Sequence, residues 1–218
     1  MRVVIAGGHG QIALRLEGLL AARGDEVVAL IRNPAQADDV RAAGGRPVVV
    51  DLEEIDAAEL AARLDGADAV VFAAGAGPGS GAARKDTVDR GAAVLLADAA
   101  QIAGVDRYLL VSSIGADQPG SSDTDDGFGA YLRAKAAAEQ DLIGRPLKWT
   151  IVRPGALTND PGTDQVHLST HAARGSVTRD DVAAVLLDLL DHPRTAGLTV
   201  ELIGGATPIR DAVGALLL

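Results

Sequence analysis

The stretch VVIAGGHGQIALRLEGLL, residues 3–20, joins a short apolar segment to a helical pattern through a cluster of glycines. The first four residues favour a β-strand, and apolar residues recur at helical spacing from Gln11 onward. Gly7, Gly10 and Ala13 form a G-x-x-G-x-x-A pattern across this junction. In such a turn the glycines let a pyrophosphate approach the backbone, and the small third residue lets the helix pack closely on the strand. A tight turn without a ligand is the alternative interpretation, because a glycine pattern alone is weakly specific.

The rest of the chain repeats this alternation of strand and helix. The predicted strands are Val3–Ala6, Glu26–Ile31, Pro47–Val50, Ala69–Ala73, Arg107–Val111, Trp149–Val152 and Leu198–Ile203. The predicted helices begin near Gln11, Ala35, Asp56, Arg84, Phe128, Arg179 and Ile209. Near-continuous apolar strands are typical of parallel sheets that are covered on both faces. We therefore predict an α/β fold, a Rossmann-like, doubly wound parallel sheet of about seven strands flanked by helices.

No break in composition and no repeat divides the chain, so we expect a single domain over residues 1–218. Gly115–Gly127 and Thr158–Ser176 lack a regular pattern and follow predicted strands, at the sheet edge where such folds bind ligands. We expect residues 155–178 to form a small region on the substrate side. The acidic run Asp123–Asp126 is interpreted as a solvated loop, and disfavouring anionic substrates near the site is the alternative.

The composition excludes several classes of function. The chain has 218 residues, a formal net charge of −10 and no cysteine. The acidic balance argues against a nucleic-acid partner and against an anionic membrane surface. No apolar run approaches the ~20 residues that span a bilayer, and the chain begins on its first predicted strand, so a cytoplasmic location is expected. His167 and His171 lie four residues apart, but no further ligand completes a zinc motif, so no metal is predicted.

The ends of the next predicted strands carry further candidates for cofactor binding. Arg32 follows the second strand, about 20 residues after the glycine cluster, where an arginine accommodates the 2′-phosphate of NADP. An acidic residue there would instead bind the ribose of NAD, and a solvated loop charge is the alternative interpretation of Arg32. We therefore expect NADP as the cofactor, with NADPH preferred over NADH. The residues predicted to contact it from the glycine turn and the strand ends are Gly7, Gly8, His9, Gly10, Gln11, Ile12, Arg32, Asp51, Leu52, Ala73, Ala74 and Gly75.

A tyrosine and a lysine lie four residues apart on a predicted helix. Tyr131 and Lys135, in the segment YLRAK, therefore share one helical face. The lysine could favour the phenolate of Tyr131 and also bond a nicotinamide ribose, so that the tyrosine exchanges a proton near neutral pH. Ser112 and Ser113 end the fifth predicted strand, where a hydroxyl could hold a substrate carbonyl. The alternative is a surface tyrosine and a solvated lysine on an amphipathic helix.

Together these motifs resemble the short-chain dehydrogenase/reductase superfamily. The chain is similar to the small atypical NAD(P)-binding members, the NmrA-like and NAD-dependent epimerase/dehydratase-like proteins. The likeness covers almost the whole length. It rests on AGGHGQIA (6–13), LIRNP (30–34), VVFAAGAG (70–77), VDRGAAVLLADAA (88–100), VSSIGA (111–116), YLRAKAAAE (131–139), WTIVRPGALT (149–158) and VTRDDVA (177–183).

The resemblance implies catalytic roles for residues at matching positions. The family's active residues are Asn, Ser, Tyr and Lys, and Ser113 (or its neighbour Ser112), Tyr131 and Lys135 match three of them. Asp89 occupies the position of the Asn, and a carboxylate cannot donate as an amide does, so this chain departs from the usual proton relay. The likeness also extends the implied cofactor contacts to Ser112, Lys135, Pro154, Gly155 and Leu157.

The segment after Pro154 is too short to hold a nucleotide sugar in the manner of extended epimerases. We therefore expect an NADP-dependent oxidoreductase that acts on a small carbonyl, quinone or flavin-like substrate. The alternative, motivated by Asp89, is a redox sensor of the NmrA-like type that binds NADP(H) and regulates a protein partner. We expect a monomer or a homodimer, with the helices near Arg84 and Phe128 as a candidate dimer face.

Overall fold

The computed structural model describes residues 1–77, 80–118 and 127–218. The strands are β1 (Arg2–Ala6), β2 (Glu26–Ile31), β3 (Arg46–Val49), β4 (Ala69–Phe72), β5 (Arg107–Val111), β6 (Lys148–Pro154), β7 (Ala156–Thr158), β8 (Gln165–Ser169), β9 (Ser176–Thr178), β10 (Leu198–Gly204) and β11 (Thr207–Pro208). The helices are α1 (Gln11–Ala22), α2 (Ala37–Ala42), α3 (Ala57–Ala61), α4 (Ala82–Lys85), α5 (Ala92–Ala103), α6 (Gly127–Ile143), α7 (Arg179–Asp191) and α8 (Ile209–Ala215). A π-helical segment, Asp86–Gly91, joins α4 to α5.

The main sheet has the strand order β11-β8-β10-β6-β5-β4-β1-β2-β3. The neighbours from β3 through β1 and β4 to β10 are all parallel. The chain winds outward from β1 to β3 in one direction and from β4 to β10 in the other. The carboxyl ends of β1 and β4 therefore flank the point where the winding reverses, which is where such sheets bind ligands. The predicted α/β Rossmann-like sheet, flanked by helices, is confirmed.

The sheet of the described residues has nine strands rather than about seven. β8 runs antiparallel to β10, and β11 runs antiparallel to β8. The prediction of an irregular segment over Thr158–Ser176 is therefore wrong, since that segment contains β8 and reaches β9. β8 alternates the exposed Gln165 and His167 with the buried Val166 and Leu168. Five residues of mixed polarity resemble a loop in sequence, and they form a strand here because β10 provides the hydrogen-bonding partner.

The core lies on both faces of the sheet because alternate side chains of each strand point to opposite sides. Val3 and Ile5 of β1 pack into one apolar cluster with residues of α1, α7 and α8. Val4 and Ala6 pack into a second cluster with residues of α3, α5 and α6. With few aromatic residues, both clusters consist mainly of Ala, Val, Leu and Ile, which allows the helices to approach the sheet closely.

Two aromatic residues of the strands lie in or against the core. Tyr108 is fully buried, and its hydroxyl donates to the carbonyl oxygen of Ala93 at 3.0 Å. Burial raises the pKa of the Tyr108 phenol above its ordinary value. Trp149 is half-buried and packs against the same cluster. Neither ring lies among the groups that the sequence assigns to chemistry.

The helices differ in how their N-termini are capped. Thr178 caps α7 by accepting a hydrogen bond from the backbone N–H of Asp181 at 3.0 Å, as its position before acidic residues predicts. Asp56 caps α3 in the same way. Gly10 precedes α1 without any side-chain cap, and no acidic residue lies in the first turn of that helix. Among the described residues, no helix is long and apolar enough to cross a membrane.

Glu17 lies on α1 beneath the turn that follows α2. Its side chain is fully buried, and neither carboxylate oxygen has a hydrogen-bond partner within the described part of the chain. Gly45 makes room for it, since a Cβ atom there would lie 2.8 Å from Glu17 Oε2. Burial raises the pKa of Glu17 from 4.5 to about 8.

This raised pKa predicts that the protein loses stability as the pH rises from 4.5 to about 8. The unfolded chain releases the Glu17 proton above its ordinary pKa, whereas the folded chain keeps it, so deprotonation favours unfolding across this interval. Relative to wild type, Glu17→Gln should gain about 1.4 kcal/mol in the free energy of unfolding for each pH unit between pH 5 and 8. Urea denaturation at several pH values measures this slope. Glu54→Gln, which removes an exposed carboxylate, is the control. Equal slopes of the free energy of unfolding against pH for all three proteins would contradict the raised pKa of Glu17.

Candidate functional site

The glycine turn after β1 has a backbone that only glycine adopts easily. Gly7 has φ +81°, and a Cβ atom at this position would lie 2.5 Å from Cα of Ala74. The N–H of Gly10 donates to the carbonyl oxygen of Gly7 at 2.8 Å and closes the turn. The backbones that follow β1 and β4 therefore touch each other, and Gly7, Gly10, Ala73 and Ala74 line the cleft above them.

Two small residues bring the turn down onto the sheet and the helix. A Cβ atom at Gly8 would lie 2.5 Å from Cβ of Ala29 on β2, and Ala13 on α1 is fully buried. The N–H groups of Gln11 and Ile12 lie at the uncapped end of α1, where the helix dipole and the backbone donors favour an anion. This arrangement suits a pyrophosphate.

A cleft of about 380 Å³ opens above the turn, between the ends of β1, β2, β3 and β4. The predicted cofactor contacts that line it are Gly7, His9, Gly10, Arg32, Asp51, Leu52, Ala73, Ala74 and Gly75. Gly8, Gln11 and Ile12 are not in this lining and lie in the turn and at the start of α1. The remaining predicted contacts, Ser112, Lys135, Pro154, Gly155 and Leu157, lie beyond β4 on the other half of the sheet edge.

The rim of the cleft carries charged residues that the sequence did not single out. Glu53 Oε2 lies 3.2 Å from Arg32 Nη1 and 3.4 Å from Arg84 Nη2. Arg84 comes from α4 and Glu53 from the turn after β3, so the three residues meet from three separate elements. No local motif marks Arg84 or Glu53, because their proximity to Arg32 arises only when β2, β3 and α4 are assembled.

Asp89 and Lys135 form a buried ion pair next to this cleft. Lys135 Nζ lies 3.3 Å from Asp89 Oδ1, and both side chains are almost completely buried. The ammonium also donates to the carbonyl oxygens of Val111 at 3.1 Å and Ala74 at 3.5 Å. Asp89 Oδ2 accepts from the N–H of Ala76 at 3.2 Å. The pair therefore ties the segments after β4 and β5 to the helices on that face.

Tyr131 lies on the same face of α6 as Lys135, as the spacing predicts. Lys135 Nζ lies 5.7 Å from the centre of the Tyr131 ring, and Lys85 Nζ from α4 lies 5.6 Å from it. Phe128 stacks beside it with 6.0 Å between ring centres. Two ammonium groups therefore face the tyrosine ring, and the Lys135 charge is balanced by Asp89.

The two serines end β5 beside the end of β6. The N–H of Ser112 donates to the carbonyl oxygen of Val152 at 2.7 Å, and that of Ile114 donates to Pro154 at 3.0 Å. The Ser112 hydroxyl is buried and donates to Glu139. The Ser113 hydroxyl is half-buried and donates to the adjacent carbonyl oxygen at 3.2 Å. Of the two hydroxyls, that of Ser113 is therefore the one without a side-chain partner in the described residues.

Glu139 extends the helical face of Tyr131 and Lys135 by one further turn. Its oxygens accept from Arg153 Nε at 3.0 Å and Nη2 at 2.6 Å. These hydrogen bonds raise the pKa of the Arg153 guanidinium above its ordinary value. Arg153 directly precedes Pro154, so this pair joins α6 to β6 at the carboxyl edge and sets the position of the Ser112 hydroxyl.

The last predicted contacts lie where β6 leaves the sheet. The N–H of Gly155 donates to the carbonyl oxygen of Leu202 at 2.9 Å, and Gly175 packs against Gly155 where a side chain would stand. Leu157 follows on β7 and is 37% exposed. These residues form the border of the edge at which Ser113 and Tyr131 stand.

The histidines that the structure describes contact ordinary polar side chains. Within the described residues, no group of three or more potential metal ligands occurs. His9 Nε2 lies 2.8 Å from Asp39 Oδ2, and His167 Nε2 lies 3.2 Å from the Ser169 hydroxyl. The run Asp123–Asp126, and most of the predicted loop around it, lie outside the described residues.

The residues present fit a dinucleotide. Gly7 and Ala74 leave only backbone and one methyl group at the floor where they meet, and the start of α1 offers N–H donors to phosphates. Arg32 and Arg84 line the cleft at the side where such folds bind the adenosine ribose of the dinucleotide. The fold and this site define a dinucleotide-binding protein of the short-chain dehydrogenase/reductase type.

Comparison with known proteins agrees with this definition. The profile of a family described as NAD(P)H-binding matches residues 7–193, and the chain belongs to this family, within the atypical short-chain dehydrogenase/reductases. The uncharacterized sugar epimerase YhfK of Bacillus subtilis strain 168 is 35% identical over 214 residues, which cover 98% of this chain and 99% of the relative. The resemblance to the atypical short-chain dehydrogenase/reductases that the sequence motifs indicate is confirmed.

Solved structures show the same fold over nearly the whole chain. A Bacillus halodurans protein that carries the provisional name NAD-dependent epimerase/dehydratase is 37% identical and superposes with a TM-score of 0.91, covering 99% of both chains. ChuY from Escherichia coli O157:H7, named an anaerobillin reductase, is 27% identical with a TM-score of 0.79, covering 94% of this chain and 97% of its own. Relatives of this chain thus carry names of epimerases and reductases.

The contact between Gly7 and Ala74 predicts a severe effect of a single methyl group. Gly7→Ala adds a Cβ atom to a left-handed backbone and also drives it into Ala74. Gly24→Ala is the matched control, because Gly24 has φ +86° and no atom of the described residues lies within 4 Å of the added Cβ atom. We expect Gly24→Ala to cost about 1–2 kcal/mol of stability and Gly7→Ala to cost about 1–3 kcal/mol more. Thermal unfolding and NADPH titration measure both effects, and equal losses in the two variants would contradict the proposed contact.

Proposed function

We propose that this protein is an NADPH-dependent oxidoreductase that reduces a small carbonyl, a quinone or a flavin-like acceptor. The observation that carries the proposal is the position of Tyr131, whose ring faces the ammonium groups of Lys85 and Lys135. Lys135 in turn donates to the carbonyl oxygen of Ala74, a residue that lines the cofactor cleft. A tyrosine placed next to positive charge at a dinucleotide site suits proton donation. Membership of the NAD(P)H-binding family supports the cofactor class.

The chain's own residues would hold the cofactor at three places. The Gly7–Gly10 turn and the start of α1 would bind the pyrophosphate through backbone N–H groups. Arg32 would bind the 2′-phosphate, because a guanidinium can bond phosphate through two N–H groups and is always charged. When bound, NADPH supplies a hydride to an electrophilic atom of the acceptor.

Tyr131 would deliver the proton that completes the reduction. As the acceptor oxygen gains negative charge, the phenol hydroxyl would donate to it, and the ammonium groups of Lys85 and Lys135 would lie close to the ring that gives up the proton. Lys135 also holds α6 in place through Asp89 and the Val111 carbonyl. The Ser113 hydroxyl, whose one hydrogen bond within the described residues is to the carbonyl oxygen of Ile114, would turn to hold the acceptor oxygen.

The acceptor is proposed from the space and surface at this edge. The segment between β6 and α7 is short, and it folds as small strands instead of a separate substrate domain. Phe128 and Leu157 are 61% and 37% exposed, so apolar surface is present on the elements bordering the site. A flat conjugated acceptor suits such a border better than a nucleotide sugar does. The name of ChuY, an anaerobillin reductase, supports a reductase function.

A second candidate function is regulation of a protein partner through NADP(H) binding, as in NmrA-like proteins. The observation in its favour is the Asp89–Lys135 pair, since the lysine ammonium is already held by a carboxylate and by backbone carbonyls. In that case the pair would serve the fold, and the protein would bind NADPH without turning over any acceptor.

Cofactor preference predicts the first measurement. Fluorescence titration should show that NADPH binds more tightly than NADH, because Arg32 at the cleft rim can pair with the 2′-phosphate. Arg32→Ala should weaken NADPH binding by about tenfold and leave NADH nearly unchanged. Arg46→Ala, on an exposed arginine of β3, is the control. Failure of the wild-type protein to bind either nucleotide would reject both candidate functions.

The proton-donor role predicts a loss of turnover without a loss of cofactor binding. With an acceptor identified from a panel of quinones, aldehydes and flavins, Tyr131→Phe should lower kcat by about 10²–10⁴-fold and leave the Kd for NADPH unchanged. Tyr108→Phe removes the only other phenol of the chain and serves as the control. If Tyr131→Phe turned over at the wild-type rate, the role would be lost, and absence of turnover with the whole panel would favour the regulatory function.

A further inference from the structure

Glu53 lies between the two arginines at the cleft rim, and we propose that it acts as a latch that sets the preference between NADPH and NADH. In this proposal Glu53 forms ion pairs with Arg32 and Arg84 in the free protein. When NADPH binds, the 2′-phosphate replaces Glu53 as the partner of both arginines. When NADH binds, Glu53 accepts a hydrogen bond from the free 2′-hydroxyl of the ribose. Arg84 is then a second phosphate-binding residue. The inference rests on the proposed use of NADPH and adds the groups that determine how strongly it is preferred.

The contacts of the Glu53 carboxylate divide between its two oxygens. Oε2 lies 3.2 Å from Arg32 Nη1 and 3.4 Å from Arg84 Nη2. Oε1 accepts a hydrogen bond from the Thr87 hydroxyl at 2.6 Å. One carboxylate thus faces two guanidinium groups, so these three side chains together carry one net positive charge, while Asp51 adds a negative charge to the same cleft lining.

The backbone holds Glu53 at this place. Its N–H donates to Asp51 Oδ1 at 3.0 Å, and Asp51 itself lines the cleft. Arg84 and Thr87 approach from α4 and the π-helical segment, across the cleft from β2. Arg32, Glu53 and Arg84 all line the cleft. The group is therefore assembled by the fold at the ligand site.

The exposure of the side chains makes the latch easy to open. The side chains of Arg32 and Arg84 are 52% and 41% exposed, and that of Glu53 is 24% exposed. Ion pairs at such exposure change an equilibrium constant by only a few-fold. A phosphate dianion can bond both guanidinium groups through paired N–H donors, which is a stronger interaction than a shared carboxylate oxygen provides. The phosphate therefore displaces the carboxylate.

The displacement nevertheless weakens NADPH binding, for two reasons. The ion pairs of Glu53 are lost, and its negative charge stays close to the phosphate. NADH meets neither penalty, because its 2′-hydroxyl can donate to Glu53 while the arginines remain paired. The wild-type protein should therefore use both nucleotides with a moderate preference for NADPH, and removing the Glu53 charge should sharpen that preference.

The test measures binding of fragments that contain or lack the 2′-phosphate. Isothermal titration calorimetry compares 2′,5′-ADP with 5′-AMP, and NADPH with NADH, for wild type and Glu53→Gln. We expect Glu53→Gln to tighten binding of 2′,5′-ADP and NADPH by about 5–20-fold and to weaken NADH by a few-fold. Glu54→Gln, on the exposed next residue, should bind all four ligands as wild type does.

Arg84 provides an independent arm of the same test. Arg84→Met keeps much of the side-chain volume and should weaken 2′,5′-ADP by about tenfold without changing 5′-AMP, whereas Arg63→Met on an exposed arginine of the adjacent loop should change neither. Thermal unfolding confirms that each variant is folded. The latch is rejected if Glu53→Gln leaves the NADPH to NADH ratio unchanged in a wild-type protein that binds both. If the wild type binds neither fragment nor either nucleotide, the cofactor proposal itself falls, so the two failures are distinguishable.

Discussion

The site depends on the close approach of two backbone turns, the one after β1 and the one after β4. The N–H of Ala73 donates to the carbonyl oxygen of Ala6 at 3.0 Å, and one residue further on Gly7 lies against Ala74 with no space for a side chain. From this contact the chain leaves to opposite faces of the sheet, to α1 on one and to α5 on the other. The cleft opens because the connections diverge here, and its floor at this contact is backbone and one methyl group because Gly7 has no Cβ atom.

The second constraint is the buried pair of Lys135 and Asp89. It connects the cleft to the edge of β5 and β6, since the lysine ammonium also bonds the carbonyl oxygens of Ala74 and Val111. Removal of one member of such a pair leaves a buried charge without a partner, which typically costs about 3–5 kcal/mol. The aspartate at position 89 therefore has a structural role, because an asparagine would not neutralise the buried charge of Lys135. Lys85, which also faces the Tyr131 ring, brings a second positive charge to the tyrosine from a different helix.

Charge at the cleft rim shows how a local feature and an assembled one combine. Arg32 is recognisable in sequence because it follows β2 at a fixed distance from the glycine turn. Glu53 and Arg84 follow different strands, and only the parallel order of β2, β3, β1 and β4 brings their ends to one rim. Arg32, Glu53 and Arg84, which are separate charged residues in the sequence, thus form one ion-paired group in the folded protein.

The sequence by itself determined the features that depend on neighbours along the chain. The strand–helix alternation, the turn at Gly7, the cap at Thr178 and the shared face of Tyr131 and Lys135 all follow from local spacing and backbone preference. Tertiary structure alone decided the features that depend on partners far along the chain. β8 forms because β10 provides hydrogen-bond partners at the sheet edge. Glu53 pairs with Arg32 and Arg84, and Lys135 pairs with the buried Asp89, only in the assembled fold. Local periodicity carries no information about such pairings, because these side chains and strand edges come together only when the strands have assembled into the sheet.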